Sequence, residues 1–372
     1  MFHLIFGLPW LIVATRFILP LPWHLSIKIV VALLLLIASQ YHYFSRLSSG
    51  SVFAPEFPRP LVIAFNLLMA TTLILAVFQI VLDVVSVALI PSRGFTLAVP
   101  PMVRYTMGAA ALGLSAFGVF QAIRVPSLKD MEIAIPGLPA SLDGYQIVQL
   151  TDLHISRLFP RAWVDAVVAR TNALNADVIL MTGDLIDGSV EDRREDVAPI
   201  AKLRARDGVY AIPGNHEYFF DYQEWMREYE RLKLRPLLNA HTVIERDGSS
   251  IVIAGVTDRS AARFGATAPD LAAALEGTPA KAPVILLDHQ PMFAARSAKA
   301  GVALQLSGHT HGGMVVGLNR LVARANNGFV SGLYKVARMQ LYVNKGTALW
   351  PGFAVRLGIM SELTRITLRR TD

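Results

Sequence analysis

The residues with the most chemistry in this 372-residue chain are histidine, aspartate and asparagine, and they come in groups. Five short clusters follow one another: Asp152-Leu153-His154, Gly183-Asp184-Leu185-Ile186-Asp187, Gly214-Asn215-His216-Glu217, Asp288-His289-Gln290-Pro291 and Gly308-His309-Thr310-His311-Gly312-Gly313. Of nine histidines, five fall in these clusters, and after residue 124 only His241 stands outside them. Imidazole, carboxylate and carboxamide without sulfur suit a hard-to-borderline divalent ion such as Mn²⁺, Fe²⁺, Zn²⁺ or Mg²⁺. A donor set this large exceeds what one tetrahedral ion takes and suits two ions sharing a bridging carboxylate. Two ions about 3.5–4 Å apart clamp a phosphate and activate a water for in-line attack.

Each cluster sits where a short apolar run stops. Runs Gln146–Leu150, Val178–Met181, Val209–Ile212, Val284–Leu287 and Leu304–Leu306 read as buried strands, as does Ile251–Gly255. They alternate with helical patterns over Ala162–Leu174 and Val197–Ala205, which predicts an α/β domain. Gln340–Val343 and Thr364–Leu368 add strands without long helices. Ligand sites in such sheets gather beyond the strand C-termini, so five loops are expected to meet at one place.

The rest of the chain has another texture. Overall 53% of residues are hydrophobic and 17% charged, with a mean hydropathy of +0.44, against about 25% charged in an ordinary soluble domain. The first 124 residues carry only nine charged side chains. Apolar stretches over 2–21, 25–44, 61–90 and 102–123 predict about four membrane spans, since a span needs about 20 apolar residues. Gly108, Gly113 and Gly118 in the last are small residues that let helices approach closely. Asp83 in the third reads as a carboxylate near an interfacial end. The expected organisation is an N-terminal α-helical transmembrane bundle over 1–124, a linker over 125–141 and a catalytic α/β domain over 142–372.

Composition also excludes functions. With no cysteine, thiol catalysis, disulfide frameworks, Cys-zinc sites and iron–sulfur clusters are ruled out. The net charge of +7 is concentrated in the apolar segment, which holds +5 of it. A nucleic-acid binder places its excess on the soluble domain instead, so no nucleic-acid partner is expected. Membrane lipids are.

The five clusters, in this order, resemble the signature blocks of calcineurin-like metallophosphoesterases. The glycine-rich block 308–313 and the tail Pro351-Gly352-Phe353-Ala354-Val355-Arg356-Leu357-Gly358 are similar to the membrane-anchored branch of that superfamily. The resemblance covers residues 142–368. It implies a four-layer αββα sandwich and two divalent ions, Mn first, with Zn, Fe or Mg as alternatives. It implies Asp152, His154, Asp184 and His311 on one ion, and Asp184, Asn215, His289 and His309 on the other. His216 is implied as the catalytic group that meets the phosphate and assists the leaving group, and Asp187 as a residue orienting a ligand. It further implies an integral protein of a bacterial inner membrane with the catalytic domain on the extracytoplasmic face, against a slight charge signal for the cytoplasm.

Two departures stand out. Glu217 takes the place where Asp is commoner, and Asp288 puts a carboxylate next to His289. Arg157, Arg161 and Arg356 are candidate substrate-phosphate contacts, because guanidinium pairs bidentately with phosphate. Tyr218, Phe219 and Phe220 are candidates either for an apolar wall or for core packing. The expected function is a membrane-bound phosphodiesterase or pyrophosphatase acting on a lipid-linked or envelope substrate. The alternatives are a general phosphodiesterase that uses its helices only as an anchor, and a non-catalytic membrane scaffold.

Overall fold

Alternate side chains on the central strands face opposite ways, and both faces are apolar, so these strands can only be buried between other layers. Ile251, Ile253, Ile285 and Leu287 join one core, while Val252, Ala254 and Leu286 join a second. The computed structural model describes residues 2–94 and 98–371. Residues 1 and 372, the outer ends of the expected domains, lie outside them. Two compact units result: residues 1–122 together with Pro351–Leu357, and Ile123–Trp350 with Gly358–Asp372.

The second unit contains two six-stranded sheets. The first has the order β1-β12-β2-β3-β4-β5, with β1 Ser127–Ile135, β2 Gln146–Leu150, β3 Val178–Thr182, β4 Val209–Ile212, β5 Arg235–Pro236 and β12 Glu362–Arg370. The second runs β10-β11-β9-β8-β7-β6, with β6 Ala240–Arg246, β7 Ser249–Gly255, β8 Val284–Leu287, β9 Leu304–Ser307, β10 Gly332–Val336 and β11 Met339–Val343. Strands β2, β3 and β4 are parallel, as are β7, β8 and β9. Their C-terminal ends, which carry the five clusters, therefore point the same way within each sheet. The inter-sheet core joins Ile147, Val178, Leu180 and Ile212 of one sheet to Ile253, Ile285, Leu306 and Tyr342 of the other. The amide Nε2 of Gln149 crosses between the sheets, donating to Thr182 Oγ1 at 3.0 Å and to the Ser307 carbonyl at 3.2 Å.

The expected linker is not one. Residues 127–135 form β1, paired in parallel with β12 along its whole length. Its sequence Ser-Leu-Lys-Asp-Met-Glu-Ile-Ala-Ile alternates only weakly, because an edge strand keeps most side chains in solvent.

The other unit comprises α1 Phe2–Ile12, continued by a π-helical stretch Val13–Ile18, then α2 Leu25–Ser39, α3 Tyr41–Ser49, α4 Arg59–Ala88, α5 Ile90–Arg93 and α6 Pro101–Ile123. Its surface inverts the soluble pattern. Ile29, Val30, Leu33, Val77, Val81 and Val84 are exposed, while Asn66, Thr72, Gln79 and Ser115 are buried. Arg59–Ser92 and Pro101–Ile123 are long and apolar enough to cross a membrane, and α2 with α3 makes a third candidate bent by 53°. The expected first span is only a shorter apolar helix, Ile5–Ile18. Asp83 is held bidentately by Arg16 at 2.9 and 3.1 Å, with Gln79 Nε2 at 2.8 Å.

Pro351–Leu357 lies in this helical unit rather than with the flanking catalytic chain. Asn66 holds it with both ends of its amide, donating to the Pro351 carbonyl at 2.9 Å and accepting from Ala354 N–H at 2.6 Å. The Arg356 N–H donates to the Gly118 carbonyl at 2.9 Å. A side chain at 118 would collide with Val355 and Leu357, so the small residue lets an irregular segment approach the helix.

Candidate metal centre

The clusters meet because parallel strands end side by side. The Asp152 N–H donates to the Gly183 carbonyl and the His154 N–H to the Asp184 carbonyl, which ties the loops after β2 and β3 together. Asp152, His154, Asp184, His309 and His311 all have positive φ, from 44 to 69°. Non-glycine residues in that region cost on the order of 1–3 kcal/mol each and persist where surroundings over-determine them. Five donors bear this strain together.

On one side, Asp152, His154 and His311 bring their donor atoms into one small space. The Nε2 atoms of His154 and His311 are 3.3 Å apart, and His311 Nε2 is 3.7 Å from Asp152 Oδ1. On the other side, Asp184, His289 and His309 converge likewise. His289 Nε2 lies 3.2 Å from Asp184 Oδ2 and 3.3 Å from Asn215 Oδ1. Asp184 Oδ2 is also 3.9 Å from His154 Nε2. Its carboxylate therefore stands between the two groups.

Two imidazole nitrogens aimed at each other and at carboxylates fit a divalent cation by donor chemistry, since neutral nitrogen and anionic oxygen are both lone-pair donors. The remaining ring nitrogens are fixed from behind. His289 Nδ1 faces the Thr182 carbonyl at 2.8 Å, and His154 Nδ1 faces Asp187 Oδ2 at 3.1 Å. Such partners set tautomer and ring orientation.

Charges follow from this packing. Burial works against the Asp184 carboxylate, but His289, His216 and His154 outweigh it and hold the group well below the usual carboxylate range. Burial and then the His289 charge push His309 down to about 3, leaving it a neutral donor. Burial also lowers His216, yet Asp184 and Asp187 more than compensate and raise it to about 9.

His216 Nδ1 lies 2.5 Å from Asp187 Oδ1, and its backbone N–H donates to Asp184 Oδ1 at 2.8 Å. Asp187 thus holds two histidines with its two oxygens and is itself fully buried. Glu217 has a role that reading the clusters one at a time passed over. Fully buried, its carboxylate accepts from the N–H groups of Asp184, Leu185 and Gly214 and from the Tyr229 hydroxyl. It binds the second and third clusters to each other.

Among the candidate phosphate contacts, Arg161 is engaged at the surface by Glu195 at 3.0 Å and Asp165 at 3.8 Å. Arg157 is exposed just beyond the first cluster. Arg356 is fully buried and lies in the helical unit. Neither Arg161 nor Arg356 is part of the donor groups. Tyr218 is buried and stacked on Tyr222 at 4.4 Å, while Phe219 is half-buried with its ring 5.1 Å from that of His216. Asp288 lines a cavity of about 130 Å³ with Arg259, Phe293 and Arg296.

Comparison with known proteins shows the family of this chain. Residues 145–313 match the family model described as calcineurin-like phosphoesterase. A Bos taurus protein named transmembrane protein with metallophosphoesterase domain is 37% identical over 268 residues, 69% of this chain and 60% of the relative, so the chain spans three fifths of that protein's length. An uncharacterized metallophosphoesterase of Helicobacter pylori is 33% identical over 262 residues, covering 70% of this chain and 68% of the relative. A solved 5′-nucleotidase precursor from Thermus thermophilus overlaps 54% of this chain and 49% of its own at 16% identity, with a TM-score of 0.36. The chain belongs to the calcineurin-like phosphoesterases, a family of metal-dependent phosphoric ester hydrolases.

Proposed function

We propose that this protein is a membrane-bound phosphodiesterase or pyrophosphatase working with two divalent ions, Mn²⁺ first, on a lipid-linked or envelope substrate outside a bacterial inner membrane. The observation that carries the reading is the position of Asp184 between two donor groups, Asp152–His154–His311 and Asn215–His289–His309. When bound, the ions supply charge to hold a phosphate and to activate water.

The chain's own residues do the remaining work. Asp184 would hold both ions, and Asp187 keeps Nδ1 of His216 engaged, which leaves Nε2 as the working nitrogen. With a pKa raised to about 9, His216 carries a proton at neutral pH and donates it from Nε2 to the departing oxygen. The apolar helices support a substrate drawn from the membrane, since hydrolysis itself does not need them.

The test is metal content and turnover measured on one detergent preparation. About two ions per chain with hydrolysis of bis-p-nitrophenyl phosphate, and faster turnover of a lipid pyrophosphate, support the reading. Asp184→Asn and His216→Ala are expected to abolish turnover while leaving a folded protein. Full activity in His216→Ala sinks the proton-donor role, and equal rates on lipid and soluble esters sink the lipid-linked substrate.

A further inference from the structure

One loop of the catalytic unit contacts residues that follow two of the clusters, Phe219 after His216 and Gln290 after His289. It runs from Thr257 to Asp270, between β7 and the short helix α10 Leu271–Leu275. Its base is closed by Asn239 Oδ1, which accepts from the N–H groups of Thr257 at 3.1 Å and Asp270 at 3.0 Å. Near one end, buried Asp258 receives both of its side-chain bonds to Gln290 from one amide nitrogen, at 3.1 and 2.9 Å. Gln290 directly follows His289, so this pair hooks the loop to the donor group around Asp184.

At its tip the loop makes one helical turn, Ala261–Phe264, ended by Gly265 at φ +69°. Phe264 lies there with its ring 5.7 Å from Phe219, and Phe219 in turn is 5.1 Å from the His216 ring. Buried Tyr218, 6.4 Å from Phe264 and stacked on Tyr222, backs the pair. Phe264 is nevertheless 51% exposed. An aromatic side chain could bury far more of its surface in a core. Here a loop tied at both ends by Asn239 presents one to solvent next to Phe219, which is itself a ring neighbour of His216.

We infer that Phe219 and Phe264 form the seat of the leaving group, and that the alcohol released by this enzyme carries an apolar body. The inference rests on His216 as the group that meets the departing oxygen, as proposed above. Phe219 is an aromatic neighbour of the His216 ring, and Phe264 is the next ring beyond it, so a group held at His216 has an apolar surface at hand. A small polar alcohol gains nothing from that surface, whereas an aryl ring or an aliphatic chain covers it. Both are the same apolar chemistry from two sources, a planar aromatic group or a lipid chain.

Methyl, hexyl and benzyl phosphate separate the possibilities as competitive inhibitors of bis-p-nitrophenyl phosphate hydrolysis by the full-length metal-loaded protein, with calorimetric binding measured alongside. The expected result is that hexyl or benzyl phosphate binds at least about tenfold more tightly than methyl phosphate, and that Phe264→Ala narrows the gap to about twofold. Benzyl ahead of hexyl assigns the seat to a planar group, and the reverse to a chain. Phe264→Leu is expected to keep the hexyl preference and lose the benzyl one. Equal binding of all three esters by the wild type, or a gap that survives both Phe264→Ala and Phe219→Ala, overturns the inference. Absence of bis-p-nitrophenyl phosphate turnover instead strikes the hydrolytic reading, while calorimetry still judges the seat.

Discussion

Nδ1 of His216 lies 2.5 Å from Oδ1 of Asp187. The other oxygen of the same carboxylate lies 3.1 Å from Nδ1 of His154, so one buried acid holds both histidines. Asp187→Asn offers one carbonyl oxygen for two histidines. Losing such a partner typically costs 10–100-fold in affinity or activity. Because Asp187 also raises His216, the variant's His216 loses its proton at lower pH. The basic limb of the pH–rate profile is therefore expected to move down, alongside a comparable fall in kcat. An unmoved limb means that Asp187 does not act through His216.

Gly183 is the residue the second cluster cannot change. Its φ is +93°, and a Cβ there would lie 2.6 Å from Gly214 N and 2.7 Å from His289 Nδ1. Gly183→Ala is strained twice over, by conformation and by collision with backbone that cannot yield. Expected are loss of bound metal and an unfolding midpoint several degrees below that of Asp184→Asn, which removes a charge without moving the chain. Wild-type metal content in Gly183→Ala is the outcome that contradicts this.

Chelation tests the same centre from the metal side. Asp152 and Asp184 are buried carboxylates close enough for each to act on the other's charge, and five donors hold positive φ. Binding to the folded state alone stabilises it by about 4 kcal/mol at a thousandfold excess over Kd. A chelator is expected to lower the unfolding midpoint by several degrees, and added Mn²⁺ to restore it. No change on chelation argues that the donor cluster is held by the protein alone.

The donor cluster was legible because its residues are chemically unusual for buried positions and sit just past apolar runs. Strands β2, β4 and β8 lie where the apolar runs placed them, and β3 extends one residue further. Edge strands were not legible: β1, β6 and β10 face solvent with mixed side chains, and their pairing depends on distant neighbours. The role of Glu217 was not legible either, since its four donors come from three separate segments. No local pattern announces that. The placement of Pro351–Leu357 was hidden for a similar reason, because its partners Asn66 and Gly118 are far away in sequence.

Asn66 lends itself to a direct test. Its amide satisfies the Pro351 carbonyl and the Ala354 N–H, and all three groups are buried. Asn66→Ala leaves a buried N–H without its acceptor, and an unsatisfied buried group costs about 1–3 kcal/mol. The Pro351 carbonyl keeps the Tyr41 hydroxyl at 3.1 Å, so the loss falls mainly on Ala354. Asn66→Ala is expected to lower the detergent-solubilised protein's midpoint and to speed proteolysis within 351–357. Tyr41→Phe should do less. Equal effects of the two would mean that the amide is not the main hold.

Asp288 gives a pH dependence with a definite sign. Burial, reinforced by the charge of Asp258, pushes its carboxyl up to about 7 in the folded protein, against about 3.9 in an unfolded chain. The folded state thus binds this proton more tightly. Its stabilising contribution is complete below about pH 4 and is lost as pH rises through about 7. Asp288→Asn keeps the shape and cannot ionise, so the variant escapes that loss. Solvent in the adjoining cavity screens the charge, which brings the effect to about 2 kcal/mol rather than the full linkage value. In chelator-treated protein, the midpoints of wild type and Asp288→Asn are expected to be close at about pH 4 and to separate by a few degrees at about pH 8.5, with the variant higher. A variant that is less stable at both pH values would show that the ionised carboxylate contributes a favourable interaction larger than its burial cost.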